Sequence, residues 1–509
     1  MKPTTVAFLA AAGMLLTSLT VYSVTPPGGF HGGPPTEVAD AIGGESPLAV
    51  ATDDRDRDRD RDRGDAISRF DVGSTLRVEG RLGHARLARA GRGETFVLLE
   101  IRGADTGGVS APAPVNLSIL VDRSGSMKGA RLRNAIAGAA GAVDRLHEGD
   151  VVSVVTFDTT TQVVVPPTPL DPASRDRVIG AIRGITLGSD TCISCGLEEA
   201  MSQLDRTTGR VNRMILLSDG DANRGVRDVA GFRAIGRRAQ AQNLGVTTIG
   251  VDVDYNEKIM SAIAQESNGR HFFVENDADL ARVFATEAES ATAAVAADAE
   301  ARIDLGPDVE VVRVIDRSSR REGRRVIVPL GAFARGEEKT VLLQVRVPTG
   351  REGVAPVASV DLAYRDLRTR EPGRCSGRLS ATVTADPRDA SDLDPVVAGR
   401  VQRSETASVL NEANDLYAQG RADEAQRRLR DRVRLLDAAG ATARKAAPAA
   451  RSADVARDFD GQRAALDQAT RGFASPPAAA APGGGPVEPS RVAKSAAKRN
   501  AESAVNLGF

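Results

Sequence analysis

Tryptophan is absent from the 509 residues, and four tyrosines with thirteen phenylalanines hold the aromatic content to 3%. Cores must therefore be filled mostly by Ala, Val, Leu and Ile, and there is little from which to build a stacking platform for single-stranded nucleic acid. Charge of one sign is also lacking: 67 basic against 68 acidic residues leave a net −1. No whole-chain field draws such a protein onto DNA or an anionic membrane, and no nucleic-acid partner is expected. Three cysteines, Cys192, Cys195 and Cys375, are too few for a disulfide scaffold. The four histidines are scattered. His147 reads as an exposed cap in a helix-to-strand turn and His271 as a structural residue opening a strand. Neither joins a serine in a pattern such as Gly-x-Ser-x-Gly, so no catalytic residue is assigned and the chain is not expected to be an enzyme.

What is present suits soluble domains joined by polar segments, with 41% hydrophobic and 27% charged residues. The length implies roughly two to four domains. Lys2 precedes an apolar run over residues 5–24, the pattern of an export signal. Residues 1–24 are read as a signal peptide, cleaved after Ser23, or as a retained signal anchor, since the run is also long enough to span a bilayer. An extracytoplasmic location follows, either periplasmic, secreted or anchored to the cell envelope. Residues 25–66 turn Pro/Gly-rich and then alternate Asp and Arg from Asp54 to Arg63, which leaves no apolar face to bury and reads as a disordered linker. Arg63-Gly64-Asp65 spells an adhesion tripeptide, of a kind that arises by chance in such a run.

Short strands flank a central α/β block. Residues 67–112 and 298–386 both alternate in the period of half-buried strands. The first set is too small for a stable sheet. The two are expected to form one β-sandwich with residues 113–297 inserted in it. Residues 390–473 read as a helical region with one hairpin, in which Tyr417, Gly420 and Ala425 resemble a single tetratricopeptide-type unit. Residues 474–509, with a linker over 475–489 and then Arg491, Lys494, Lys498 and Arg499, read as a disordered, solvated tail.

Within the block, near-continuous apolar runs such as Val115 to Val121 and Val246 to Val251 alternate with helical stretches, which implies a doubly wound parallel sheet. Ligands bind beyond the carboxyl ends of such strands. There the sequence places Asp122-Arg123-Ser124-Gly125-Ser126 and Ser218-Asp219-Gly220, with Gly188-Ser189-Asp190-Thr191 opening a helix between them. Carboxylate and hydroxyl oxygens suit a hard cation. In these residues the block resembles a von Willebrand factor type A domain with a metal-ion-dependent adhesion site. Asn256-Glu257 and Phe272-Phe273-Val274-Glu275 are similar to secreted bacterial members. The resemblance implies that Ser124, Ser126 and Thr191 ligate Mg²⁺ directly (Mn²⁺ or Ca²⁺ as alternatives). It implies that Asp122 and Asp219 act partly through water, and that a protein partner supplies an acidic side chain to the open position.

Cys192-Ile193-Ser194-Cys195 departs from that family pattern. Four readings stand: a disulfide stiffening the Thr191 loop, two buried thiols, a thiol-disulfide exchange site at a helix start, and half of a zinc site. Cys375 reads as exposed and available to another chain. The function expected is thus a metal-dependent adhesion or assembly module. The alternatives are a redox protein using Cys192 and Cys195, or a scaffold in which the cation is incidental.

Overall fold

The computed structural model describes residues 66–105, 113–204, 210–474 and 490–508. The export-type segment, the Asp-Arg run with Arg63-Gly64-Asp65 and the 475–489 linker lie outside the described residues. Four strands come first: β1 (Arg69–Val72), β2 (Leu76–Leu82), β3 (Arg86–Ala88) and β4 (Glu94–Gly103). The α/β block follows with β5 (Val115–Asp122), α1 (Ala130–Asp144), β6 (Val151–Phe157), β7 (Thr161–Pro169), α2 (Pro172–Arg183), α3 (Ile193–Leu204), β8 (Val211–Ser218), α4 (Val229–Ala241), β9 (Gly245–Val251), α5 (Glu257–Glu266), β10 (His271–Val274) and α6 (Leu280–Thr292). Seven more strands are β11 (Ala294–Leu305), β12 (Glu310–Ile315), β13 (Arg320–Glu322), β14 (Arg325–Ala334), β15 (Glu338–Arg346), β16 (Gly353–Asp366) and β17 (Pro372–Thr384). The chain ends in α7 (Pro395–Ala418), α8 (Ala422–Ala446), α9 (Ser452–Gly472) and α10 (Arg491–Gly508).

The block folds around a six-stranded sheet in the order β10-β9-β8-β5-β6-β7, parallel throughout except for β7 at one edge. Every residue of β5, β6 and β9 is buried, because helices cover both faces. Leu117, Ile119 and Val121 of β5 face a core shared with α1, α2 and α6. Leu120 of the same strand, with Val155 and Phe157, faces the opposite core under α3, α4 and α5. From β5 the chain first moves outward to β6 and β7 and later returns to β8 on the other side, so the strand order reverses between β5 and β8. That switch point leaves a crevice at the carboxyl ends of the strands.

The two remaining sheets run β1-β2-β4-β15-β12 and β13-β14-β11-β16-β17-β3. Each contains strands from before and after the block. β4 pairs antiparallel with β15 from Glu94↔Arg346 to Arg102↔Glu338, and β3 pairs parallel with β17. Their inner faces fill one core, in which Leu76, Leu99 and Ile101 meet Val341, Leu343 and Val360. Cys375 lies in this core, contrary to the exposed position expected for it; its Sγ donates to Leu76 O at 3.4 Å, and burial pushes the thiol pKa up.

The C-terminal region departs furthest from expectation. Instead of one small hairpin, the described residues form four helices with a common core, which includes Leu410, Leu429, Phe459 and Leu466. The basic tail is not solvated, since α10 packs against α7, α9, α5 and β10. Its apolar face is almost all alanine, a weak signal in sequence, but small side chains allow close approach. A Cβ built on Gly472 of α9 would lie 2.2 Å from Ala496 Cβ. None of the described helices is long and apolar enough to cross a membrane.

Leu99 is fully buried opposite Val341. Leu99→Ala is expected to cost about 2–5 kcal/mol, read by urea denaturation; a loss under about 1 kcal/mol would mean that the two flanks do not share a tight core.

Candidate functional site

The crevice between β5 and β8 gathers three loops. The first continues from β5, where Asp122 is fully buried and Ser124 nearly so, while Gly125 and Ser126 are exposed. Ser124 N–H donates to Asp122 Oδ1 at 2.8 Å, turning the loop back on its own carboxylate. The other carboxylate oxygen accepts from Ser218 Oγ at 2.5 Å, across the switch point. Ser126 Oγ donates to Asp219 Oδ1 at 2.6 Å and lies 3.0 Å from Ser124 Oγ. A Cβ on Gly220 would stand 3.5 Å from both Ser126 Oγ and Thr191 Oγ1. Asp122, Ser124, Ser126, Thr191 and Asp219 therefore converge around one spot with an exposed side, and glycine at 220 leaves that spot unfilled.

Backbone hydrogen bonds fix the loops to each other. Gly188 N–H donates to Arg123 O at 2.6 Å and Gly125 N–H to Ser189 O at 2.8 Å, joining the first loop to the one that carries Thr191. Only glycine fits at 188, because a Cβ there would lie 2.0 Å from Asp158 Oδ2. Asp158 in turn pairs with Arg123 at 3.0 Å. Thr191 N–H donates to Asn223 Oδ1 at 2.9 Å, and Thr191 O accepts from the amides of Asn223 and Arg224. Directly behind Thr191, Cys192 and Cys195 are joined by a disulfide in the first turn of α3, with Cα atoms 5.3 Å apart. Cys192 is buried, and its amide donates to Asp158 O. Thr191 is thus held from three directions, and α3 adds the positive end of its dipole beneath it.

The electrostatics are uneven. Burial pushes Asp122 up to about 6 against the hydrogen bonds from Ser124 and Ser218 that favour its charged form. Asp219 is also raised, with burial outweighing its bonds from Ser126 and Arg131. Among the described residues, Asp122 has no cationic partner. A buried carboxylate without one is costly, and a divalent cation would supply the missing charge. The donor set of three hydroxyls and two carboxylates is the kind a hard ion takes. Among the described residues no group of three or more His, Cys, Asp or Glu could hold a metal ion; here hydroxyls make up most of the set.

Two residues that the sequence did not single out sit at this site. Arg131 of α1 donates from Nη1 to Asp219 Oδ2 at 2.8 Å and to Ser126 O at 3.0 Å, and from Nη2 to Asp252 Oδ2. Asp252 follows β9 with φ +61°, and its Oδ1 accepts from Val253 N–H at 2.8 Å. The only signal available was that Asp252 ends a buried strand beside Ser218-Asp219. His271 plays no part in the site; it is buried between Thr248 Oγ1 and Tyr255 Oη, and burial pushes its pKa down to about 3. Asn256 caps α5 through Ile259 N–H.

A family model for the von Willebrand factor type A domain matches residues 116–286. An uncharacterized protein of Synechocystis sp. is 25% identical over 281 residues, covering 53% of this chain and 66% of its own. The uncharacterized protein YfbK of Escherichia coli is 27% identical over 217 residues, covering 42% and 37%. The chain therefore matches just under two thirds of one relative and well under half of the other. Among solved structures, a von Willebrand factor type A protein from Catenulispora acidiphila superposes with a TM-score of 0.64 at 20% identity, over 80% of this chain and 91% of that one. The ArnB paralog from Sulfolobus acidocaldarius gives 0.52 at 16%, over 79% and 98%. At these identities the likeness is one of fold, and it extends beyond the α/β block.

In EDTA, burial favours the neutral acid of Asp122 over its charged form, and the neutral acid predominates in the folded chain below about pH 6. Its stabilising effect is complete below pH 3.8 and is lost as pH rises through about 6. A rise of that size is worth roughly 3 kcal/mol. Asp122→Asn is therefore expected to raise the thermal midpoint of the EDTA-treated chain at about pH 7 and to flatten its decline between about pH 4 and 6. An unchanged or lower midpoint would mean that the Asp122 charge is compensated in the fold itself.

Proposed function

We propose, from the premise that this chain carries a von Willebrand factor type A domain over residues 116–286, that it is a divalent-metal-dependent protein-binding module of adhesion or assembly type. The observation that carries the reading is the convergence of five oxygen-bearing side chains on an exposed crevice whose innermost carboxylate has no counter-charge. Ser124, Ser126 and Thr191 would hold the cation directly, with Asp122 and Asp219 partly through water. Mg²⁺ suits this set, with Mn²⁺ or Ca²⁺ as alternatives. When bound, the ion neutralises and orients an incoming carboxylate of a protein partner. The chain's own residues do the rest. Gly125 and Ser126 leave the outer side open, the stitched loops keep the hydroxyls in place, and Ser218 fixes the orientation of Asp122.

The flanking sheets are read as one sandwich with this domain inserted in it. Strand pairing across the insertion, as in β4 with β15, supports that arrangement. Export is inferred from Lys2 and the apolar run of residues 5–24, which would serve as signal peptide or membrane anchor. The Cys192–Cys195 disulfide is in keeping with an oxidising compartment and so with the cell envelope. Thiol-disulfide exchange is the weaker reading, because Cys192 is only 1% exposed and an attacking thiol needs access. No catalytic role is proposed: both carboxylates are committed to hydroxyls and Arg131.

Titration calorimetry with Mg²⁺ tests the reading. The unaltered chain is expected to bind one ion, and Thr191→Ala and Asp122→Ala to weaken binding at least about tenfold. Equal affinity in all three chains would refute the site.

A further inference from the structure

Asp252 stands between two guanidinium groups that belong to different parts of the molecule. Its Oδ2 accepts from Arg131 Nη2, whose other nitrogen holds Asp219 at 2.8 Å. Its Oδ1 accepts from Arg491 Nη2 at 2.6 Å, at the first residue of α10. The site carboxylate, Arg131, Asp252 and the C-terminal helix thus form one unbroken charge series. The remaining basic residues of α10 continue along the same rim. Lys494 pairs with Asp254 at 3.2 Å, Lys498 with Glu257 and the carbonyl of Tyr255, and Arg499 with Glu275. Helix packing holds the far end of α10, where Arg400 donates to Gly508 O at 2.8 Å. Its start, beside the site, is held by the shared carboxylate together with the Lys494–Asp254 pair and buried Ala493.

We propose that Arg131 is the internal counter-ion of the metal site, and that Arg491 sets how firmly it is held on Asp219. The inference rests on the reading of this site as one for a divalent cation. Each guanidinium group has its own oxygen of Asp252, but the two share its single charge and repel each other. With Arg491 in place, Arg131 is pressed toward Asp219, the carboxylate that an incoming cation needs. Without Arg491, Asp252 is left to Arg131, and Asp219 is released. A cation beside Asp219 has the converse effect. It weakens that carboxylate's hold on Arg131, which turns to Asp252 and displaces Arg491. Cation loading and seating of the first turn of α10 are therefore negatively coupled, and by linkage each weakens the other by the same factor. Arg131 is a positioning residue in this scheme, not a ligand.

The test uses the full chain and Mg²⁺ alone, with two readouts. The Arg491 side chain is 61% exposed, so Arg491→Ala should fold. In calorimetry Arg491→Ala is expected to tighten Mg²⁺ binding by at least about fivefold. Arg499→Ala removes an equal charge from the same helix, at its pair with Glu275, and should change affinity by less than about twofold, as a screened surface charge does. In hydrogen exchange, saturating Mg²⁺ should lower the protection of amides in the first two turns of α10 in the unaltered chain and not in Arg491→Ala. Equal affinities for Arg491→Ala and the unaltered chain, or an Arg499→Ala shift as large as that of Arg491→Ala, would overturn the coupling while leaving the site intact. An unaltered chain that takes up no Mg²⁺ would overturn the site and the coupling together.

Discussion

The organisation of this protein turns on a carboxylate with nowhere to place its charge. Asp122 ends a central strand of the mainly parallel sheet, fully buried, and among the described residues it is approached by hydroxyl and amide donors alone. Those donors orient the group without neutralising it, and burial still raises its pKa to about 6. Asp219 differs in having Arg131 for a partner. The pair is therefore asymmetric, one carboxylate compensated by Arg131 and one without a cationic partner among the described residues. Position in the sheet explains why both are there. The strand order reverses between β5 and β8, so their ends diverge and leave a crevice into which both loops turn.

Rigidity around that crevice comes from short-range bonding, not from bulk. Gly188 and Gly125 each give an amide to the opposite loop, and Asn223 takes one from Thr191. The Cys192–Cys195 disulfide ties the turn that follows Thr191. Such bracing places the hydroxyl oxygens in advance, without which neutral oxygens would hold an ion weakly. Outside the block, the two flanking sheets return the chain close to where it left them, and the four-helix region brings α10 back to the rim of the crevice. Parts of the chain more than 200 residues apart thereby share one carboxylate, Asp252.

Much of this was legible in the sequence, for a physical reason in each case. The buried runs of β5, β6, β8 and β9 read as parallel strands because both faces are covered. The oxygen-rich loops at their ends stood out because Asp, Ser and Thr, which also serve as turn and cap residues, recur there in a pattern that suits a hard cation. The role of Arg131 was not legible, since an arginine on an exposed helical turn looks like any solvated charge until the fold sets it between Asp219 and Asp252. α10 was missed because an alanine-rich face carries little hydrophobic signal, although it suits the close contact with Gly472. Cys375 looked exposed among polar neighbours, yet the alternation of β17 points it into the shared core.

Crystals of the full chain grown with Mn²⁺, and the anomalous signal of that ion, give the most direct test of where the missing charge is supplied. One peak is expected in the crevice, within about 2.0–2.4 Å of hydroxyl oxygens from both the Ser124–Ser126 loop and Thr191. A crevice without a peak at saturating Mn²⁺, or a peak bound elsewhere while Asp122 keeps only its bonds from Ser124 and Ser218, would contradict it.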